Sequence, residues 1–251
     1  MDHSNHLLCW FHEESFRSST LAPCTKSTSC DDSSSTIPEC HKTCTTYSRT
    51  LKMFQESGMP ETFWDYFPIK TPESDCAAYK TLKHIREQIV DFVDSGQNLF
   101  LYSKEYGNGK TLWSSILMKA YIREQTIQHK FNLNFVRYVY IPDFIFRYMT
   151  CEKYNFDDDR RRSFFNKLYE LSDTNFVIWD GFGYGSHSNI EDTVIRSVIH
   201  SRLNKGMSNM FISDKEGSEL SDIIGESLFN RIMSCSIPIE FKSEGFRQTQ
   251  F

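Results

Sequence analysis

Residues 98–115, NLFLYSKEYGNGKTLWSS, form the segment that most constrains how this chain folds. The apolar run from Leu99 to Tyr102 is typical of a short buried strand. It leads into a glycine turn, Gly107-Asn108-Gly109, and then into Lys110-Thr111-Leu112 at the start of a helical pattern. A strand, a glycine turn, a lysine–threonine pair and a helix together predict a loop that holds the phosphates of a nucleoside triphosphate.

The chemistry of residues 104–111, which we call the phosphate loop, follows from their types. Glycine lets backbone N–H groups point at phosphate oxygens, and the amino end of a helix adds partial positive charge. Lys110 is expected to reach the β- and γ-phosphates, and the Thr111 hydroxyl to ligate Mg²⁺. The pattern G-x-x-x-x-G-K-[ST] is incomplete because Lys104 stands where the first glycine belongs. The alternative is a strand-to-helix turn that happens to contain Gly-Lys-Thr.

Composition and charge limit the class of protein. The chain has 251 residues, of which 24% are charged and 39% hydrophobic, as in a globular protein with one sizeable core and a small appendage. No apolar run approaches the roughly 20 residues that span a bilayer, and the first residues lack the pattern of a secretory signal. We therefore expect a cytoplasmic protein without a membrane partner. With a net charge of −5, any nucleic-acid surface must be local.

Cysteines cluster in the polar amino-terminal part of the chain. Residues 1–50 are rich in Ser and Thr and cannot bury much apolar surface. Four thiols can form a closed tetrahedral zinc site that supplies folding energy to such a segment; the four are Cys24, Cys30, Cys40 and Cys44. Their spacing is irregular, and His41 can replace one ligand. The alternative is a polar segment with free thiols.

Strand and helix patterns alternate along the rest of the chain. Short apolar runs predict strands at 99–102, 133–141, 175–180, 209–213 and 237–241. Helical periodicity predicts a helix that ends at Gly58, helices over 71–95, 111–125, 142–149, 164–173 and 189–204, and two short helices within 218–234. This alternation predicts an α/β fold with a central, mainly parallel five-stranded sheet flanked by helices on both faces.

The residues that end the third predicted strand bear on catalysis. Asp180 closes the run FVIWD, where a carboxylate can hold Mg²⁺ beside the phosphate loop; the alternative is a helix cap or a turn residue. Gly181 stands where ATP hydrolases of this type usually place a second acid that orients the attacking water. Without a positioned base, hydrolysis should be slow while nucleotide binding survives.

Further charged residues are candidates for contacts to nucleotide and DNA. Asp214 follows the strand FIS and either senses the γ-phosphate, supplies the missing acid or caps the next helix. Arg231 either reaches the nucleotide of an adjacent subunit in a homo-oligomer or forms a surface salt bridge. Arg160, Arg161 and Arg162 form the one tight basic cluster, a candidate contact for single-stranded DNA whose field the three preceding aspartates weaken.

Four segments together resemble the AAA+ ATPases of the DnaC-type helicase-loader family, in particular the phage and prophage replication proteins of Gram-positive hosts. They are NLFLYSKEYGNGKTLW, NFVIWDGFG, NMFISDKEGSEL and IIGESLFNRIM. The resemblance implies a P-loop NTPase fold of AAA+ type, ATP and Mg²⁺ as ligands, and a replicative DnaB-type helicase as partner. It also implies a Cys-rich, partner-binding module at residues 1–65 and an AAA+ domain at residues 66–251. The family usually has Asn where this chain has Asp214, and often another arginine at Ser227.

Three functions fit these observations: a helicase loader that uses ATP, an ATP-binding adaptor that no longer hydrolyses, and a transposition helper ATPase of related fold. Two accounts of the missing acid also stay open. If its absence limits catalysis, Gly181→Glu should raise the hydrolysis rate. If Asp214 already orients the water, Gly181→Glu should bring no gain and Asp214→Asn should abolish turnover.

Overall fold

The computed structural model describes residues 45–64, 71–128, 130–153, 158–184 and 189–245 of the chain. Its centre is a five-stranded sheet in which every neighbouring pair is parallel, in the order β2-β3-β4-β1-β5. The strands are β1 (Asn98–Tyr102), β2 (Val136–Tyr140), β3 (Phe176–Asp180), β4 (Ser208–Ser213) and β5 (Ser236–Glu240). The predicted five-stranded parallel sheet is therefore confirmed.

The sequence of each strand matches its place in the sheet. The three inner strands are almost entirely buried, which explains their near-continuous apolar runs. The two edge strands are partly exposed. Pro238 lies in β5, where the missing N–H of proline is tolerated because an edge strand bonds a neighbour on one side only.

Helices cover both faces of the sheet. The first face carries α1 (Thr45–Ser57), α2 (Cys76–Glu87), α3 (Ile89–Asp94) and α4 (Lys110–Ile127). The second carries α5 (Ile141–Lys153), α6 (Asp158–Asp173), α7 (Asn189–Asn204), α8 (Gly217–Ile224) and α9 (Glu226–Cys235). Side chains alternate between the faces, so Leu99 and Leu101 of β1 join the first core cluster while Phe100 joins the second. No helix of the described ranges is long and apolar enough to cross a membrane.

Several predicted elements differ from the structure, among them the helices predicted over 142–149 and 164–173, which span Ile141–Lys153 and Asp158–Asp173. The single helix predicted over 71–95 is divided at Gln88, whose φ of −119° and ψ of 30° leave the helical region, and a 3₁₀ turn at Glu73–Asp75 precedes it. Ile89 and Phe92 of α3, which follow this break, are buried in the first core cluster. The strand predicted over 133–141 is shorter at both ends, because residues 133–134 form a turn and α5 begins at Ile141.

The segment that precedes the sheet shares the first core cluster. Met53, Phe54, Met59 and Trp64 are buried there, and the Trp64 indole N–H donates to the Met59 carbonyl at 3.0 Å. As predicted, α1 ends before Gly58, whose φ is +76°. The domain boundary between residues 65 and 66 stays a prediction.

Candidate functional site

The carboxyl ends of three neighbouring strands bring the predicted site residues to one edge of the sheet. Tyr102 of β1 lies beside Ser213 of β4, and Asp180 of β3 lies beside Ile212. The phosphate loop follows β1, and Asp214 follows β4. In open α/β sheets, ligands bind outside the carboxyl ends of the strands, at a point where the strand order reverses. Here the chain runs from β1 to β2 at one edge of the sheet, and later from β4 to β5 at the opposite edge. The strand order therefore reverses next to β1.

The phosphate loop has the backbone that its glycines predict. Gly107 and Gly109 have φ of +75° and +98°, values at which a side chain is strained. Gly109 directly precedes α4, so Lys110, Thr111 and Leu112 form the first turn of that helix. A buried hydrogen bond also connects the loop to the residue that follows β1: Asn108 donates through Nδ2 to Ser103 Oγ at 2.6 Å.

Lys110 is buried at the mouth of the loop, with 5% of its surface exposed. Its Nζ donates to the Glu105 carbonyl at 3.0 Å and to Asn108 Oδ1 at 3.2 Å. Asp214 Oδ1 lies 2.8 Å from the same nitrogen. A buried ammonium surrounded by oxygen acceptors suits the phosphate contact predicted for Lys110. Asp214 does not cap α8, whose N-cap is Glu216, so that alternative is excluded.

Asp180 and Thr111 lie together beneath the loop. The Thr111 hydroxyl donates to Asp180 Oδ2 at 2.9 Å, and Asp180 is only 7% exposed. Burial raises the pKa of Asp180, while hydrogen bonds from Tyr138 and Thr111 act in the opposite direction. A carboxylate and a hydroxyl are hard oxygen donors of the kind that Mg²⁺ prefers. The donor set therefore fits Mg²⁺, and the loop above it fits the phosphates of a nucleotide.

Tyr138 is a residue of this site that the sequence pattern did not reveal. Its hydroxyl donates to Asp180 Oδ2 at 2.6 Å from the neighbouring strand β2. Burial and the nearby carboxylate raise the pKa of Tyr138, so it stays a hydrogen-bond donor at neutral pH. Only the β2–β3 pairing reveals this contact, because Tyr138 and Asp180 are 42 positions apart in the chain.

We expect Tyr138→Phe to weaken the Mg²⁺-dependent part of nucleotide binding about tenfold, because outer residues that orient a metal ligand typically matter by that factor or more. Calorimetric titration with ADP in Mg²⁺ and in EDTA separates the two parts. Affinity in EDTA should stay unchanged. Tyr140→Phe is the matched control, since Tyr140 is 48% exposed. Equal losses with and without Mg²⁺ would show that Tyr138 does not act through Asp180.

Gly181 has a backbone that restricts the missing acid. Its φ is +78°, and a Cβ built there lies 3.0 Å from Pro142 Cδ and 3.3 Å from Tyr140 Cε2. A non-glycine residue in this left-handed conformation costs about 1–2 kcal/mol. A glutamate at position 181 would therefore strain the backbone directly after Asp180. This strain is a physical reason against the expectation that Gly181→Glu raises the hydrolysis rate. A role of Asp214 in orienting the water stays a prediction.

We expect Gly181→Glu to give no gain in steady-state hydrolysis at saturating Mg-ATP and to lower the free energy of unfolding by about 1–2 kcal/mol. Gly181→Ala is the control, because it carries the same backbone cost without the carboxylate. A rate increase of about 10²-fold, the lower end for a positioned base, would contradict this expectation.

The other predicted residues lie away from this edge or outside the described ranges. Arg231 bonds His200 Nδ1 at 3.0 Å and also Asn204, near the amino ends of the strands, so the fold does not bring it to the phosphate loop of its own chain. Its role in an adjacent subunit stays a prediction. Arg160, Arg161 and Arg162 lie near the start of α6.

The zinc prediction falls on residues that the structure does not describe, because Cys24, Cys30, Cys40 and Cys44 all precede Thr45. Within the described ranges there is no cluster of three or more His, Cys, Asp or Glu side chains that could hold a metal ion. The three cysteines described there, Cys76, Cys151 and Cys235, are free thiols.

Solved structures of DNA replication proteins share this fold. The DnaC helicase loader matches with a TM-score of 0.52 and 19% identity, over 70% of this chain and 94% of that one. DnaI matches with a TM-score of 0.53 and 17% identity, over 75% and 94%. The replication initiator DnaA bound to AMPPCP and single-stranded DNA matches with a TM-score of 0.52 and 15% identity, over 69% and 48%.

Comparison with protein-family models and with curated protein sequences gives no match. At the identities of the solved structures, the likeness shows the fold. The predicted fold, a five-stranded parallel sheet flanked by helices on both faces, is therefore confirmed, and this chain shares it with the DnaC helicase loader.

Proposed function

We propose that this chain is an ATP-binding AAA+ protein that acts in DNA replication as a helicase loader and delivers a DnaB-type helicase to DNA. One observation carries the nucleotide part: buried Lys110 and the Thr111–Asp180 pair meet at the carboxyl edge of the sheet. The fold shared with the DnaC helicase loader supports the replication part.

In this proposal, different residues of the site bind the phosphates and the Mg²⁺ of Mg-ATP. The backbone N–H groups of Gly107 to Leu112 and the Lys110 ammonium hold the phosphates. Thr111 and Asp180 supply oxygens to Mg²⁺, which neutralises phosphate charge when it is bound. A titration with the non-hydrolysable analogue AMPPCP in Mg²⁺ tests this proposal. Saturable binding at one site per chain is expected, and an absence of binding would overturn it.

Single-stranded DNA and further copies of the chain are additional proposed partners. The structural neighbour DnaA is bound to single-stranded DNA. In this chain, the proposed contact to single-stranded DNA is the basic cluster near the start of α6. It consists of Arg160, Arg161 and the exposed Arg162. Arg231 is the proposed contact to the nucleotide of an adjacent subunit.

The backbone at Gly181 favours a second candidate function, an adaptor that binds ATP without hydrolysing it. The position after Asp180 has a left-handed φ and carries no acid, so the usual water-positioning group is missing. Steady-state hydrolysis with and without single-stranded DNA distinguishes the two functions. A loader that uses ATP should hydrolyse it under one of these conditions, whereas an adaptor should not.

The amino-terminal cysteines are proposed to hold one zinc ion. Elemental analysis of the purified chain should give about one zinc per molecule, the number that a single four-ligand site allows. The quadruple Cys→Ser variant at residues 24, 30, 40 and 44 is the control and should contain none. The proposal would be contradicted if the amino-terminal part of the zinc-free parent resisted protease as well as that of the zinc-bound parent.

A further inference from the structure

The chain turns back over the phosphate loop after the last strand. The Phe241 N–H donates to the Tyr102 carbonyl at 3.0 Å, which ties the start of this turn to the end of β1. Phe241 is buried, and its ring lies 6.0 Å from that of Tyr79 in α2. Tyr79 in turn packs edge-on against Trp113 of α4, at 5.1 Å between ring centroids. The segment after β5 therefore packs against α2 directly and is connected to α4 through Tyr79.

A buried carboxylate fixes the next two residues. Asp75, which is 1% exposed, accepts hydrogen bonds from the Lys242 and Ser243 N–H groups at 2.7 and 3.2 Å and from Ser243 Oγ at 2.5 Å. It precedes α2 directly, where the helix dipole also favours negative charge. A buried carboxylate with three donors is strongly held, since each lost partner would leave a buried polar group unsatisfied.

Gly245 then meets the backbone of the phosphate loop. A Cβ built on Gly245 would lie 2.1 Å from the Tyr106 carbonyl oxygen and 3.4 Å from the Gly107 Cα. The near atoms belong to the backbone, so a side chain at position 245 cannot be accommodated unless the loop or the segment moves. Residues 242–245, which we call the clasp, therefore join a fixed anchor at Asp75 to the loop at Tyr106.

We propose that the clasp is a positioning element of the phosphate loop: Asp75 fixes the clasp, and Gly245 holds the backbone at Tyr106 and Gly107 in the conformation that receives the phosphates. The proposal rests on the proposed nucleotide binding at this loop. A loop that is held in its binding conformation loses less conformational freedom when the ligand binds. Because coupling between two sites is reciprocal, bound nucleotide should also stabilise the clasp.

Gly245→Ala tests the clasp, with Gly217→Ala as the matched control because a Cβ at Gly217 has no heavy atom within 4 Å. Hydrogen exchange of residues 105–109 without nucleotide is expected to be faster in Gly245→Ala than in the parent. Affinity for Mg-AMPPCP should fall at least about fivefold, the lower end of typical coupling between sites. Bound AMPPCP should also slow exchange at residues 242–245 of the parent. Gly217→Ala should match the parent in every measurement.

A milder variant covers the case in which Gly245→Ala fails to fold. Ser243→Ala removes one hydrogen bond to Asp75 and should change loop exchange and affinity in the same direction. Its control is Ser234→Ala. Among the described residues, the Ser234 hydroxyl of the parent bonds only the Arg231 carbonyl of its own helix.

Two results would overturn the proposed role of the clasp. The first is hydrogen exchange of the phosphate loop at the parent rate in the folded clasp variants, and the second is faster loop exchange with unchanged affinity for Mg-AMPPCP. A parent chain that binds no nucleotide would instead overturn the proposed function. In that case, loop exchange in Gly245→Ala still decides whether the clasp holds the loop.

Discussion

Replacing Lys110 with alanine is expected to lower the affinity for Mg-nucleotide at least about tenfold, or ~1.4 kcal/mol. Lys110 is buried at the mouth of the phosphate loop, so its contact to phosphate forms in a partly desolvated site where a charge-assisted bond is strong. The substitution also leaves Asp214, 2.8 Å from the lost ammonium, without its counter-charge. Its carboxylate would then repel the incoming phosphates.

Calorimetric titration with AMPPCP in Mg²⁺ measures this loss. Lys205→Ala is the matched control. Lys205 lies in the turn before β4 and pairs with Asp173 at the amino end of the sheet, on the side opposite the phosphate loop. That variant should bind nucleotide as the parent does. Unchanged affinity in a folded Lys110→Ala chain would mean that residues 104–111 are not a phosphate-binding loop.

Replacing Arg202 with methionine is expected to lower the free energy of unfolding by about 3 kcal/mol. Arg202 is fully buried near the amino ends of the strands. Its guanidinium donates to the Thr174 carbonyl and to Asn209 Oδ1, both at 2.6 Å, and to the carbonyls of Leu171 and Ser208. Burial lowers the pKa of Arg202 to about 9, so the group stays charged at neutral pH and the bonds remain charge-assisted. Methionine fills a similar volume but removes the charged donor from these acceptors. Of them, Asn209 Oδ1 keeps its hydrogen bond from the Trp179 indole N–H at 3.2 Å.

Thermal unfolding measures this effect, and the melting temperature should fall by about 6–12 °C for a chain of this size. Arg147→Met is the matched control, because Arg147 is exposed and pairs with Asp143 one helical turn away. A pair of that kind contributes less than about 1 kcal/mol. Equal, small losses in both variants would show that the Arg202 bonds do not hold the amino ends of the strands together.

Local patterns in the sequence predicted much of the fold and several residues that the structure brings together at the phosphate loop. The glycines, Lys110 and Thr111 are adjacent in the chain, so their shared chemistry is visible without any tertiary information. Asp180 could be recognised because it ends an apolar run, and runs of this kind become inner strands of a parallel sheet.

The contacts that the sequence did not reveal all join distant segments. Tyr138 reaches Asp180 through strand pairing, and Asp75 reaches Ser243 across 168 positions of the chain. Arg202 was hidden for a different reason. In the helical pattern of α7 an arginine predicts a solvent-facing side chain, but Leu171, Thr174 and Asn209 surround it with acceptors. Such partners depend on packing, which periodicity does not encode.

Association with a hexameric helicase of the DnaB type tests the proposed loader function most directly. Size-exclusion chromatography with light scattering, run with Mg-AMPPCP, measures whether the chain and the hexameric helicase form a complex. The proposed function predicts a complex whose stability falls in Lys110→Ala, while Lys205→Ala behaves as the parent. A parent chain that binds AMPPCP but elutes apart from the helicase, with and without nucleotide, would contradict it.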